Sequence, residues 1–400
     1  MKNYKVVLIG AGARGVVLYN AALKREYVQI AAVCDPYLDK CEALAKRIVK
    51  DGRANPAIYS DYQKCIDETN PDVVVVSTAW EAHTKICIYA MEKKIAVACE
   101  VGGAYSIESM WELVRCYERT QTPIMMMENC CYGRMELLAL NMKRLGVLGE
   151  IVHCEGGYRH DLREEVVNGN KNRQYRLQQY LKRNCENYPT HEIGPIAKIL
   201  DINCGNRFTT LVSVGSKSVG MAAYAKEKGV DEFKNTYFKQ SDVVTTCIEC
   251  ANGETVTITL DTGLPRYYSR GFLVQGTKGL VCEENNSVYL DDEWDREVYD
   301  WNKHYNNIDP YYEKYEHPIW KGYNPSEEGH GGIDALVFEA FFKALDENKP
   351  MPIDVYDMAT WMSISVLSEQ SLLTGQKVVF PDFTNGKWIL RKNTFEIEKI

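Results

Sequence analysis

Nowhere in these 400 residues is there an apolar run approaching the 18 or so that a membrane-spanning helix needs. The opening segment, MKNYKVVLIG, passes straight into a strand-like run without a cleavable hydrophobic region or small-residue cleavage site. The expectation is a cytoplasmic chain with no membrane partner. Nor is there an excess of positive charge: 47 Lys and Arg stand against 55 Asp and Glu, leaving a formal net charge of −8. A basic stripe for nucleic acid would have to overcome that balance, so no nucleic-acid partner is expected. Internal repeats and low-complexity tracts are absent. Apolar residues at 45% and charged residues at 26% are ordinary globular usage, which excludes a disordered, collagenous or coiled-coil chain.

Cysteine is present but sparse for a disulfide scaffold: 14 in 400 residues. Most lie inside apolar runs, such as Cys34 in IAAVCD, Cys87 in KICIYA and Cys99 in IAVACE, and read as buried, reduced thiols. Cys247 and Cys250 have CxxC spacing, but they sit in the β-branched run DVVTTCIEC. Residues three apart on a strand face opposite sides, and no second CxxC completes a tetrahedral site. No zinc or other metal is expected.

The length exceeds what one core usually supports and predicts two domains. The first, 1–129, alternates apolar runs (KVVLIG, VQIAAVCD, PDVVVVSTA, IAVACE, PIMMME) with segments of helical periodicity. Strands that are apolar throughout, separated by helices, predict a doubly wound parallel sheet of Rossmann type. The second, 130–400, strings strand-like segments together: EIVHCEGGY, RFTTLVSVGS, DVVTTCIECANGETVTITLDT, RGFLVQG and GLVCEE. This predicts an α+β domain with a large, mostly antiparallel open sheet. Asn252-Gly253 signals a two-residue hairpin with both central residues at positive φ. Helical patterns are expected near 190–200, 332–346 and 355–373, and 291–331 reads as an aromatic surface excursion. An exposed face of the second sheet would suit a homodimer interface.

Gly10-Ala11-Gly12-Ala13-Arg14-Gly15 follows the first strand and opens the first helix. In that context the three glycines allow a tight turn, backbone approach to a pyrophosphate, and close packing of helix on strand. Asp35 ends the second strand. A carboxylate there can accept bonds from the adenosine ribose hydroxyls and would repel a 2′-phosphate, which favours NAD as cofactor. Ligands of open α/β sheets sit at the carboxyl ends of the strands. That singles out Trp80 with His83, Glu100-Val101, and Asn129. His83 reads equally as a surface residue at a helix N-terminus, and Asn129 as an ordinary helix cap. In Asn187-Tyr188-Pro189-Thr190-His191-Glu192, Thr190 is the expected N-cap, with Glu192 in the first turn. Tyr188 and His191 at that helix entrance are acid/base candidates, or else a packed tyrosine and a structural histidine. Arg176 belongs to a charged segment that could be a solvated face, and Tyr158-Arg159-His160-Asp161 ends a strand.

Together these residues resemble the glucose–fructose oxidoreductase/inositol dehydrogenase/rhizopine-catabolism superfamily over the whole chain. Most members carry Glu-Lys-Pro after the fifth strand; here Glu100-Val101-Gly102 lacks the lysine. A narrower similarity, to family 109 of the glycoside hydrolases, rests on MMMENCCYGR (125–134), GGYRHDLR (156–163), YRLQQYLKRNCENYPTHEIGPIAK (175–198), GHGGID (329–334), DVYDMATWMSISVLSEQS (354–371) and VVFPDFTNGKW (378–388). Members of that family commonly have proline where this chain has Gly102. The resemblance implies NAD contacts from Arg14, Gly15, Asp35, Trp80 through His83, Glu100, Val101, Asn129 and Arg176. It implies substrate contacts from Tyr158, from Tyr188, Pro189, Thr190 and His191, and from Tyr267 or Tyr268.

That resemblance implies an NAD-dependent glycosidase acting on α-N-acetylgalactosaminides or a related small carbohydrate. NAD+ takes hydride from C3, a base removes the acidified C2 proton, the leaving group is eliminated, water adds, and hydride returns. Tyr188 and His191 are the catalytic candidates. An NAD-dependent sugar or polyol dehydrogenase keeps every cofactor residue and changes only the net reaction; a non-catalytic NAD-binding sensor is the third reading.

Overall fold

The computed structural model describes residues 2–293, 300–325 and 328–395. They form two compact units. Of the described residues, the first comprises those up to Tyr132 and Tyr323–Ala359, the second Gly133–Gly322 and Thr360–Asn393.

In the first unit six parallel strands, β1 (Tyr4–Ile9), β2 (Val28–Cys34), β3 (Ala57–Tyr59), β4 (Val73–Val76), β5 (Ala96–Cys99) and β6 (Ile124–Met126), lie in the order β3-β2-β1-β4-β5-β6. Strand order reverses between β1 and β4, where open α/β sheets bind their ligands. All four valines of β4 are fully buried, as strands covered on both faces require. The five expected strands are present. β3 is the addition, a three-residue edge strand of half-exposed residues too short to leave a periodic trace. Helix Leu38–Lys50 shows why the pattern was legible elsewhere: Cys41, Leu44, Ala45 and Ile48 recur at helical spacing and are the residues it buries.

Helix Ile333–Asp346 belongs to this first unit, so the expected single break at 129/130 does not capture the return of the chain. It buries Phe338, Phe341 and Phe342, and Phe342 packs on Tyr4 and Tyr27 with ring centroids 5.1 and 5.4 Å apart. Three such side chains contribute about 2–3 kcal/mol each through removal from water, enough to anchor the returning segment.

The second unit holds eight strands: β7 (Ile151–Arg159), β8 (Phe208–Gly215), β9 (Val243–Cys250), β10 (Thr255–Asp261), β11 (Leu273–Gly276), β12 (Gly279–Cys282), β13 (Ser287–Leu290) and β14 (Val378–Val379). Their order is β13-β12-β11-β7-β10-β9-β8-β14, antiparallel except where β7 and β10 run parallel. Alternation along β9 puts Cys247 outside and Cys250 inside, so the two thiols face opposite ways. The β9–β10 connection corrects the hairpin expectation. Only Gly253 takes a positive φ (+100°), and Cys250 and Glu254 close the loop by an N–H···O bond of 2.9 Å. The result is a longer loop with glycine at its left-handed position rather than a two-residue turn. Of 291–331, residues 294–299 and 326–327 lie outside the described residues, and the others include short helical pieces such as Asp309–Tyr315.

No helix among the described residues is long and apolar enough to cross a membrane. All 14 cysteines are free; twelve are buried, Cys204 is half-buried and Cys247 exposed. Brief alkylation of the native protein, read by mass spectrometry, is expected to modify Cys247 first. All 14 should react after denaturation without reductant; a bridged pair would overturn that expectation.

Candidate active site

The glycine-rich turn is fixed by backbone contact. Gly10 has φ +106°, and a Cβ there would run into the Ser77 carbonyl at the end of β4. A Cβ on Gly15 would strike the Gly10 carbonyl, so the helical segment beginning at Ala13 lies directly on the turn. Gly12 differs: a Cβ there would meet nothing within 4 Å. Its freedom is not needed for packing, and the backbone beside it is open to a ligand. Asp35 is buried between two loops, accepting hydrogen bonds from Ala11 N–H and Tyr37 N–H, both 2.9 Å.

Arg14 does not project freely. Its guanidinium donates to both oxygens of Asp334 (2.7 and 2.9 Å) and to Glu100 Oε1 (2.9 Å). Asp334 is fully buried and also accepts from Asn129 Nδ2 at 2.6 Å, while His330 Nδ1 lies 3.1 Å away. Burial alone would push its carboxyl up. The hydrogen bonds and charges of His330 and Arg14 outweigh this and hold it far below the ordinary carboxylate range. His330 arrives there on an unusual turn: Gly329, His330, Gly331 and Gly332 all have positive φ. Three glycines in four residues make such a left-handed run tolerable. Arg14 of the glycine-rich turn and Glu100 and Asn129 at two other strand ends are thus one network. Asp334 and His330 were not singled out individually; the glycine run before a helix pattern was the available signal.

His83 is fully buried, which removes the surface alternative. Its Nε2 is 3.0 Å from the Thr78 carbonyl oxygen, so Nε2 carries the proton, and burial pushes the imidazole down to about 4. It is neutral at pH 7, and its Nδ1 meets no partner among the described residues. Trp80, also buried, has its indole against Gly102, where a Cβ would overlap the ring. The missing side chain at 102 is what leaves room for the ring. Val101 is buried beside it in sequence.

In the second unit an aromatic cluster assembles on the end of β7 and the entrance of helix Thr190–Ile199. Tyr188 Oη is 3.2 Å from His191 Nε2, with the rings edge to face at 4.8 Å. Tyr158 packs on Tyr188 at 4.5 Å, and His160 bridges Tyr158 (5.8 Å) to Tyr268 (5.3 Å). Arg176 lies 5.0 Å from the Tyr188 ring and donates to Tyr158 Oη at 3.4 Å. The structure therefore sets it among the tyrosines rather than on a solvated face. Tyr268 joins the cluster through His160, whereas Tyr267 is 95% exposed. Both line an open cavity of about 920 Å³ with Asp161, Arg266, Glu283 and Glu284.

Thr190 is not the N-cap: the helix begins with Thr190 itself, Pro189 precedes it in helical conformation, and no side chain caps the end. Pro189 is half committed to the helix already because its ring fixes φ near the helical value. Thr190 is buried and its Oγ1 meets no donor or acceptor among the described residues.

Residues 132–390 match the C-terminal domain of glycosyl hydrolase 109, and residues 4–128 match the oxidoreductase family with an NAD-binding Rossmann fold. The chain belongs to glycosyl hydrolase family 109. A family member from Stenotrophomonas maltophilia is 37% identical over 99% of this chain and 92% of its own length. An α-N-acetylgalactosaminidase from Tannerella forsythia is 37% identical over 97% of this chain and 88% of its own. Levoglucosan dehydrogenase, solved with NADH and levoglucosan, shares the fold with a TM-score of 0.70 at 20% identity, over 95% of this chain and 100% of that one. Membership makes the chain an enzyme and its first unit a nucleotide-binding Rossmann domain.

Asp334→Asn removes a charge that Arg14 depends on. Breaking a buried ion pair costs about 3–5 kcal/mol. Arg14 remains about a quarter exposed, so the loss is expected near or below the lower figure. The depressed carboxyl contributes stability above the unfolded-state value near 3.9 and loses it as pH falls through the folded value. Thermal melts at pH 7 should separate wild type from variant, and the gap should narrow on acidification. An equal gap at every pH would refute the ionic reading of this network.

Proposed function

We propose that this enzyme is an NAD-dependent glycosidase of α-N-acetylgalactosaminides, using the Tyr188–His191 pair for proton transfer. The observation that carries the reading is that pair, a phenol and an imidazole 3.2 Å apart in an aromatic setting, in a chain of family 109. The T. forsythia relative's name supports the substrate, and the cofactor reading rests on the first unit's residues.

Those residues fit a dinucleotide. Gly10 and Gly15 hold the turn, open backbone at Gly12 would take the pyrophosphate, and buried Asp35 would take the adenosine ribose. Trp80, His83, Glu100, Val101, Asn129 and Arg14 would complete the cofactor site. Neutral His83 offers an unprotonated Nδ1 as acceptor. NAD, when bound, supplies reversible hydride exchange with C3 of the sugar, which acidifies the C2 proton and permits elimination without net redox change.

The chain's own part is proton handling. His191, hydrogen-bonded to Tyr188, would remove the C2 proton or protonate the departing glycosidic oxygen, with Tyr188 serving the complementary transfer. Arg176, beside both tyrosines, sets a positive charge against the two phenols and would help orient them toward the substrate. With no lysine at position 101, these transfers need no ammonium group. Pro189 and Thr190 would shape the sugar pocket, with Tyr158 and Tyr268 as walls and Tyr267 further out. A cytoplasmic setting agrees with 14 free thiols.

His191→Ala is expected to lower turnover on p-nitrophenyl α-N-acetylgalactosaminide by about 10²- to 10⁴-fold while leaving cofactor content unchanged. In D₂O the wild type should release sugar carrying deuterium at C2. Cleavage without deuterium would exclude elimination; steady NADH accumulation with no cleavage would instead make the protein a dehydrogenase. Asp35→Ala should weaken NAD and relax discrimination against NADP, and calorimetry finding NADP already tighter in wild type would reverse the cofactor assignment.

A further inference from the structure

Two carboxyl groups that take no part in the chemistry above bracket the segment that does. Glu186 stands two residues before Tyr188, and Glu192 one residue after His191. Both are fully buried, and none of their four carboxyl oxygens meets a well-aligned donor among the described residues. They lie close enough to hydrogen-bond each other. Two adjacent buried carboxylates would repel with nothing between them; one shared proton satisfies both.

We propose that Glu186 and Glu192 are a proton-sharing pair of positioning residues that clips together the two ends of the Tyr188–His191 segment and holds the catalytic pair against β7. The packing leaves little slack around the clip. A Cβ on Gly156 of β7 would strike the Glu192 carbonyl, so strand and helix meet backbone to backbone. On the other side Glu186 N–H donates to Ser368 Oγ at 2.9 Å. Loss of the bridge would free the loop Asn187–His191 at the point where Tyr188 packs on Tyr158.

Burial pushes the Glu186 carboxyl up to about 8 and the Glu192 carboxyl well above its ordinary value. The backbone N–H groups of Tyr188 and Leu260 near Glu186, and of Tyr158 near Glu192, act weakly in the opposite sense, as does Arg159 at the end of β7. Nearby in sequence, Arg183 pairs with Glu369, and Lys198 stands over the Trp361 ring. A carboxyl raised in the folded state stabilises below its unfolded value near 4.3, and that contribution fades as pH climbs toward 8. The clip therefore opens on the alkaline side, and the pair titrates as a unit.

The assignment of turnover rests on the glycosidase reading, so the test has an arm that does not. In infrared difference spectra at pH 7, wild type minus Glu192→Gln should show a protonated-carboxyl stretch, and the variant's melting temperature should depend less on pH between 5 and 8. Absence of that band would overturn the proposal whatever the enzyme's substrate. In the activity arm, wild-type turnover should fall reversibly above about pH 8. Glu192→Gln, whose amide can donate to Glu186 without a shared proton, should keep turnover and push that decline to higher pH. Glu192→Leu should lose about 10- to 100-fold at every pH, the scale of a displacement near 1 Å in a reacting group. A pH profile identical in all three proteins would overturn the proposal. No glycoside cleavage, with the infrared band present, would retain the pair and refute the glycosidase reading alone.

Discussion

A single fully buried carboxylate, Asp334, constrains the first unit more than any other group. It must find donors or pay several kcal/mol for burial, and it finds them in Arg14, Asn129 and His330. Arg14 and Asn129 lie 320 and 205 residues away along the chain. Closing so long a loop costs little more than closing a shorter one, since the entropy grows only with the logarithm of length. The returning segment is held by the phenylalanines of helix Ile333–Asp346 and directed by Asp334. Packing supplies most of the free energy, and the carboxylate sets which way the guanidinium beside the glycine-rich turn faces.

The second unit solves the opposite problem. Glu186 and Glu192 are as buried as Asp334, yet burial outweighs the opposing charge of Arg159 at the end of β7. Where a guanidinium and an imidazole are in reach, burial ends in a carboxyl held far down. Where a second carboxyl is the side-chain partner, burial ends in a proton retained at neutral pH. Identical chemistry thus gives an ionic anchor in one unit and a pH-sensitive contact in the other, and only the neighbours differ.

What could be read from the sequence follows from how local each cause is. Strands β1, β2, β4, β5 and β6 announce themselves because both their faces are buried, and the glycine-rich turn because its steric needs lie within six residues. β3 is three residues at a sheet edge and leaves no pattern. Thr190 looked like a cap from its neighbours alone, but the helix entrance is set by packing against β7, with Pro189 already helical. Arg176 was ambiguous because its partners Tyr158 and Tyr188 are brought to it by the fold. Asp334 lies within GHGGID, one of the segments that carry the family similarity, yet its role depends on side chains hundreds of residues distant. Glu186 had no local signature at all, since a glutamate before Asn-Tyr-Pro gives no sign of burial.

The absence of lysine at position 101 fits this distribution of charge. An ammonium group in a cofactor site would add a second cation near Arg14, which Asp334 and Glu100 already neutralise. With valine there, position 101 is simply buried, and Gly102 leaves room for the Trp80 indole. Beside the glycine-rich turn the Arg14 guanidinium is tied to the carboxylates of Asp334 and Glu100, while a phenol and an imidazole meet at Tyr188 and His191 in the second unit. The reaction proposed above needs a cofactor that stays bound and proton-transfer groups that can reset, and a fixed ionic network and a phenol–imidazole pair are chemically suited to those two needs.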